Sequence, residues 1–247
     1  MSVTTCQFFE YHLTSGDPKD ILTGALESDT PTVVNTINAH AFNVSLADGK
    51  FHDALSRSDV LVADGIGVVW AARLLGARPL RKISGFDLFS AAMDIADDRR
   101  MTVGFLGSTD EVLEKIAAKA AEDYPNVALR TLSPPFASSF TDTEATRLVD
   151  EIGTVDILCI GMTAPKQEKF ATQVKTRCDA RAILSIGAVF DFYAGTIKRA
   201  HPLLIKLGLE WLGRSFADPK RLGKRNLIAI PTFVYNCVKL AISNKQG

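Results

Sequence analysis

Several absences narrow what this chain can do. No apolar run reaches the roughly 18 residues of a membrane-spanning helix. The closest, from Leu227 to Ile242, is interrupted by Pro231, Asn236 and Lys239. The four cysteines, Cys6, Cys159, Cys178 and Cys237, contain no C-x-x-C pair. That excludes a zinc ribbon or a dithiol motif and fits a reducing cytosol. Cys159 lies inside an apolar run and reads as a buried thiol. His12, His40, His52 and His201 are not spaced as metal ligands, and neither a metal nor a cofactor is expected. The first apolar residues are broken by Gln7, Glu10 and His12, which is not the core of a signal peptide. Net charge is also missing, with 28 basic and 28 acidic residues. The global balance therefore points to no polyanionic partner, and no nucleic acid is expected.

What is present is a folded α/β chain. Its 247 residues, 47% hydrophobic and 23% charged, suffice for one large domain or two small ones. A β-like start over Cys6–Leu13 precedes Asp17-Pro18, an N-cap followed by proline at the first helical position. Strand-like runs recur at Thr32–Asn35, Val60–Ala63, Thr102–Leu106, Val127–Leu132, Asp156–Ile160 and Ala182–Ile186. Helical patterns lie between most of them, including Asp110–Tyr124 and Asp142–Ile152, and Ser108 with Glu111 spells a capping box. The alternation predicts a Rossmann-like, mainly parallel sheet with helices on both faces.

Strand signals stop near Lys198. Residues 1–196 read as the α/β body and 197–247 as a basic, apolar, helical C-terminal appendage. Between Lys198 and Arg225 stand eight cations, opposed only by Glu210 and Asp218. Asp218-Pro219 is expected to start a helix that places Arg221 and Arg225 on one face. Leu227, Ile228, Ile230, Phe233, Val234 and Tyr235 follow directly. Such a stretch reads either as a solvated basic face or as a segment suited to an anionic membrane surface, and the adjoining apolar residues favour the membrane.

Candidate chemistry gathers where strands give way to helices, since the carboxyl ends of parallel strands form the ligand crevice. In Val60-Leu61-Val62-Ala63-Asp64-Gly65-Ile66-Gly67, a carboxylate follows a short buried strand at a glycine turn. Asp64 reads either as a cap on the following helix or as a proton acceptor at the crevice. Asn35-Thr36-Ile37-Asn38-Ala39-His40 supplies neutral hydrogen-bonding groups. Gly107 and Ser108 sit between strand and helix, where a free helix N-terminus attracts phosphate, although G-x-G-x-x-G is absent. In Gly161-Met162-Thr163-Ala164-Pro165-Lys166-Gln167-Glu168, Pro165 is expected at the first helical position, with Lys166 and Gln167 in the first turn. Asp87 reads as a helix cap. Asp191 follows the last strand and reads equally as a nucleotide contact or a satisfied buried carboxylate.

The strings Ala63-Asp64-Gly65-Ile66-Gly67-Val68-Val69-Trp70-Ala71, Ser84-Gly85-Phe86-Asp87-Leu88, Ala164-Pro165-Lys166-Gln167-Glu168-Lys169 and Gly208-Leu209-Glu210-Trp211-Leu212 share the order seen in one family. The chain resembles the WecG/TagA/CpsF bacterial glycosyltransferases (glycosyltransferase family 26), from about residue 18 to 235. The resemblance implies inverting transfer of a sugar from a UDP-sugar donor to a polyprenyl-diphosphate-linked saccharide acceptor. Such enzymes act at the cytoplasmic face of the bacterial membrane, in teichoic acid, common antigen, capsule or exopolysaccharide synthesis. It implies Asp64 as the general base, with Thr36 and Asn38 facing the donor sugar and the reacting centre. Gln167 would contact sugar hydroxyls, and Arg214 and Arg221, helped by Arg225, would hold a diphosphate. Lys82, three residues before Gly85, stands near the place of a family arginine two residues before that glycine. It keeps the charge and loses the bidentate fork. Ile37 replaces a common proline, and His40 a common glutamate.

No Asp-x-Asp pair occurs in the chain, so the usual metal clamp on a nucleotide-sugar diphosphate is missing. Helix N-termini and cations are then expected to stabilise the leaving group. Two other readings compete: a nucleotide-dependent oxidoreductase on the same fold, and a non-catalytic membrane scaffold that binds lipid-linked saccharide. A homo-oligomer is compatible with the apolar faces that a displaced appendage would expose.

Overall fold

The computed structural model describes residues 3–76, 80–198, 201 and 224–243. The chain opens with β1 (Thr4–Phe8) and β2 (Tyr11–Ser15), followed by α1 (Pro18–Leu26), β3 (Thr32–Ile37), α2 (Ala39–Ser45) and α3 (Gly49–Ser56). Next come β4 (Val60–Ala63), α4 (Ile66–Leu74), α5 (Gly85–Arg99), β5 (Thr102–Gly107), α6 (Asp110–Asp123) and β6 (Ala128–Leu132). Then follow α7 (Asp142–Ile152), β7 (Ile157–Gly161), α8 (Lys166–Val174), β8 (Ala182–Ser185), α9 (Val189–Tyr193) and α10 (Lys224–Ser243). The eight strands form one sheet in the order β1-β2-β4-β3-β8-β7-β5-β6. Only β1 with β2 is antiparallel, and every other ladder is parallel.

The two-residue side-chain period of each strand divides its apolar residues between two helical layers. Val34, Val62, Val103, Phe105, Cys159 and Leu184 face α1, α5, α6 and α9. Val33, Leu106, Leu158, Ile160 and Ile183 face α7 and α8, while Ile37, Leu61 and Ala63 face α2, α3 and α4. Burial pushes the Cys159 thiol up to about 12, which fits an inert core thiol.

Capping accounts for several element boundaries. Asp17 caps α1 by accepting from the Lys19 amide, with Pro18 behind it. Ser84 and Asp87 form a full capping box on α5, so Asp87 is the reciprocal partner in that cap. Thr141 and Glu144 do the same on α7.

Four expectations need correction or lie elsewhere. The segment Cys6–Leu13 is not one strand but most of a hairpin, turned at Phe9 in a left-handed conformation (φ 53°). Ser108 and Glu111 form no capping box. Gly107 (φ 134°) and Ser108 (φ 60°) make a sharp turn, which moves the N-cap of α6 to Thr109, without a side-chain cap bond. Pro165 is the N-cap of α8 and not its first helical residue. The helix start at Asp218-Pro219, together with Arg214 and Arg221, lies outside the described residues.

Helix α10 packs against α2. Phe233 is buried in the cluster that includes Phe42, Phe51 and Val69, and the Phe42 and Phe233 rings meet edge to face at 5.3 Å. Asn43 Nδ2 donates to the Ala229 carbonyl at 2.7 Å, and Asn236 Nδ2 donates to Asn43 Oδ1 at 3.1 Å. Phe233→Ala is expected to remove about 3–5 kcal/mol from the unfolding free energy, measured by urea denaturation. A loss below about 1 kcal/mol, the range of ordinary surface changes, would show that α10 is not part of this core.

Candidate active site

Seven parallel strands end at one edge of the sheet, and most of the residues singled out in the sequence lie there. Strand β4 stops at Ala63, and the Asp64 amide donates to the Ile37 carbonyl at 2.9 Å, carrying the β3–β4 ladder one residue further. Gly65 (φ 122°) is the N-cap of α4 and has no side-chain cap bond. Asp64, half-buried, therefore lies one residue outside the capping position, and the reading of Asp64 as a helix cap is not supported. The positive φ at Gly65 is a conformation that L side chains rarely adopt.

The loop after β3 touches this turn. A methyl group on Gly65 would stand 3.9 Å from Asn38 Cβ. Asn38 caps α2, its Oδ1 accepting from the Ala41 amide at 3.0 Å, which fixes its side chain at the start of that helix. Thr36, half-buried two residues earlier, is paired with Val62. The Ile83 amide donates to the Ala63 carbonyl at 2.9 Å, so the stretch containing Lys82 runs alongside the end of β4. Phe233 of α10 comes within 3.9 Å of a methyl group placed on Gly67, in the first turn of α4. The C-terminal helix thus reaches the element that begins at the Asp64 turn.

A second group of residues lies further along the same edge. The outgoing connections of β5 and β7 lead in opposite directions, to β6 and to β8, which makes their junction a topological switch point. Gly107 and Gly161 are paired there, and a methyl group on Gly107 would overlap the Gly161 carbonyl. Phe190 of α9 covers Gly161, so Asp191 lies close to this junction. Asp191 Oδ1 accepts from Thr196 Oγ1 at 3.3 Å, and its carbonyl accepts from the same hydroxyl at 3.1 Å. The Ser108 carbonyl accepts from Ser133 Oγ at 2.9 Å. Asp110 and Glu111 occupy the first turn of α6, so negative charge already stands where a phosphate would be drawn.

Between the two groups, the first turn of α8 is buried where the sequence suggested an ordinary polar helix start. Gln167 is 5% exposed and Glu168 2%, and Gln167 Nε2 donates to Glu168 Oε1 at 2.8 Å. Burial pushes the Glu168 carboxyl up to about 7, against smaller opposing effects of the Gln167 hydrogen bond and nearby Lys169. A methyl group on Gly187 would stand 3.2 Å from Gln167 Oε1, which places that oxygen at the end of β8. Glu168 is the residue that sequence reasoning passed over. The signal was the apolar set Phe170, Ala171 and Val174, whose helical spacing carried back one turn from Ala171 reaches Gln167 and Glu168. Lys166 turns elsewhere, donating to the Ala137 carbonyl at 2.8 Å and lying over the Phe136 and Phe140 rings.

Asp64, Asn38, Thr36, the Lys82 stretch and Gln167 therefore gather around β4, β3 and β8, and Gly107, Ser108 and Asp191 around β7 and β5. Arg225 belongs to α10. No group of three or more His, Cys, Asp or Glu residues able to hold a metal ion occurs among the described residues. No described helix is long and apolar enough to cross a membrane.

Comparison with known proteins finds relatives over most of the chain. A relative from Bacillus subtilis (strain 168), named N-acetylglucosaminyldiphosphoundecaprenol N-acetyl-beta-D-mannosaminyltransferase, is 26% identical over 209 residues, covering 84% of this chain and 79% of the relative. A protein of the same name from Staphylococcus aureus (strain NCTC 8325 / PS 47) is 28% identical over 217 residues, covering 87% and 83%. The model of the family described as Glycosyl transferase WecG/TagA/CpsF matches residues 7–247. With nearly its whole length matched, the chain belongs to the WecG/TagA/CpsF family of glycosyl transferases.

Proposed function

We propose that this protein transfers a sugar, of the N-acetylmannosamine type, from a UDP-sugar to a polyprenyl-diphosphate-linked saccharide, with inversion and without a metal ion. The observation that carries the reading is the junction at the ends of β3 and β4, where Asp64 stands beside Asn38 and outside the capping position of α4. The relatives' names support an N-acetylmannosaminyl donor and an N-acetylglucosaminyl-diphosphoundecaprenol acceptor.

In the proposed reaction Asp64 accepts the proton of the acceptor hydroxyl as its oxygen attacks the anomeric carbon. The bond from that carbon to the diphosphate oxygen breaks, and the electron pair leaves with UDP. One carboxylate suffices, because direct displacement forms no covalent intermediate on the protein. Thr36 and Asn38 line the reacting centre, Lys82 lies beside it, and Gln167 meets sugar hydroxyls from the end of β8. The nucleotide lies toward Gly107, Ser108 and Asp191, four strand spacings or about 19 Å away along the edge. Arg214 and Arg221, with Arg225, hold the diphosphate.

The membrane-bound acceptor suits α10. Ile228, Val234, Tyr235, Val238 and Ile242 are exposed on the side of the helix opposite Ala229 and Phe233, and cations precede them. That pattern fits a helix lying at an anionic lipid surface, as a peripheral protein on the inner face of the bacterial membrane.

Asp64→Asn is expected to lower kcat by about 10²–10⁴-fold while UDP-sugar affinity, measured by calorimetry, stays intact. Near-normal turnover of that variant would remove Asp64 as the base. Turnover in the presence of EDTA is expected to equal that in its absence, and a loss restored by a divalent ion would overturn the metal-free reading. Arg214→Ala and Arg221→Ala are each expected to lower kcat/KM by about tenfold or more, the loss of a charge-assisted hydrogen bond, with the melting temperature unchanged. Wild-type kinetics in both would dissociate the appendage from the chemistry.

A further inference from the structure

Four buried polar atoms have no hydrogen-bond partner among the described residues: Asn35 Oδ1, Ser185 Oγ, Gln167 Oε1 and Glu168 Oε2. The fold makes them neighbours. Val34 is paired with Leu184, so Asn35 and Ser185 follow side by side on adjacent strands. Strand alternation turns both toward the face of Val33 and Ile183, which packs against α8. Gln167 and Glu168 open α8, and that helix crosses β3, β7 and β8.

Most of these atoms can only accept a hydrogen bond, and such a group is costly to bury without a donor. Among the described residues no cation supplies one. Lys169 is paired with Asp48, and Lys166 donates to the Ala137 carbonyl. Burial pushes the Glu168 carboxyl toward its neutral form, the form whose O–H can act as a donor. Its other oxygen accepts from Gln167 Nε2 at 2.8 Å. That bond turns the amide nitrogen inward and leaves the carbonyl oxygen at Gly187, at the sheet edge.

We propose that Glu168 is a positioning residue that fixes the orientation of the Gln167 amide beside Gly187 at the end of β8, the orientation in which Gln167 contacts the transferred sugar. The inference rests on the reading of Gln167 as a sugar contact in the proposed transferase. A flipped amide would offer donors in place of an acceptor, so the same bond also selects among sugars that differ in one hydroxyl.

The test uses the full chain with UDP-N-acetylmannosamine and an N-acetylglucosaminyl-diphospho-lipid acceptor. Glu168→Leu is expected to lower kcat/KM for the donor about tenfold with UDP affinity unchanged. Glu168→Gln, which keeps an acceptor for Gln167 Nε2 and supplies N–H donors, is expected to restore most of that loss. Gln167→Ala should show a loss of similar size, and adding Glu168→Leu to it should cost nothing more, because a residue acting only through Gln167 has nothing left to act on. Where Glu168→Leu does not fold, Glu168→Asp, which withdraws the acid by one methylene, takes its place in the same cycle. Losses that multiply in the double variant overturn the positioning role, as does a Glu168→Gln variant as impaired as Glu168→Leu. Full activity of Gln167→Ala overturns it by a different route, by removing the sugar contact itself while leaving Asp64 untouched.

Discussion

The parallel ladder between β3 and β4 is the constraint on which the candidate site depends. Its register pairs Thr36 with Val62 and Ile37 with Ala63, and the bond from the Asp64 amide to the Ile37 carbonyl extends it past both strands. Asn38 and Asp64 are thereby held at matching positions beyond neighbouring strands, although they stand 26 positions apart in the chain. A slip of one residue would exchange the two faces of β4. Val62 would leave the layer of α1 and α5, and Asp64 would turn to the opposite side of the edge. The apolar residues on both faces of β4 therefore fix the position of the carboxylate as firmly as any contact it makes.

The same reasoning explains which features could be read from the chain. Val60–Ala63 and α7 (Asp142–Ile152) have the bounds expected from the sequence, because each is an apolar pattern closed by turn or capping residues. The hairpin at Phe9 carries no such signal, since a phenylalanine at φ 53° is held there by packing against Phe8 and Phe42. The start of α6 misleads for a local reason. Ser108 and Glu111 have capping-box spacing, but the close approach of Gly107 to Gly161 forces a turn that uses Ser108 up. The candidates Asp64 and Asn38 at strand ends and Gln167 in the first turn of α8 could be picked out from the chain, as could their convergence on one edge of the sheet. Which of them are neighbours could not, because the spatial order β4-β3-β8-β7-β5 cannot be read from the order of elements along the chain.

The break in character near residue 197 marks the end of the sheet without marking the end of the core. Phe233 and Ala229 are buried against α2 and the start of α4, and Asn43 is held between the Ala229 carbonyl and Asn236. Packing therefore ties α10 to the two helices that begin at Asn38 and at Gly65. Under the proposed function, the helix that meets the lipid surface rests on the elements that carry the base, so docking of the chain on the membrane presents Asp64 at a fixed height.

Charge at the helix ends shows why the diphosphate needs groups beyond the sheet. A free helix N-terminus is the ordinary cradle for a phosphate in this fold, yet most of those along this edge already carry carboxylates. Asp87 sits in the first turn of α5, Asp110 and Glu111 in that of α6, Asp142 and Glu144 in that of α7, Glu168 in that of α8 and Asp191 in that of α9. Of the described helices that follow a strand at this edge, α2 and α4 have no acid in the first turn, and α2 is capped by Asn38. The start of α4 at Gly65 has no acid in its first turn, so its dipole favours negative charge nearby, and Asp64 is its immediate neighbour. A single dipole end next to a carboxylate cannot neutralise a departing diphosphate as well. The proposed reaction therefore requires cations, and among the candidates Lys82 lies beside the Asp64 turn while Arg214, Arg221 and Arg225 come from the basic C-terminal region. Under the proposed function, a base on the sheet and a counter-charge on the appendage make the two parts of the chain chemically incomplete without each other.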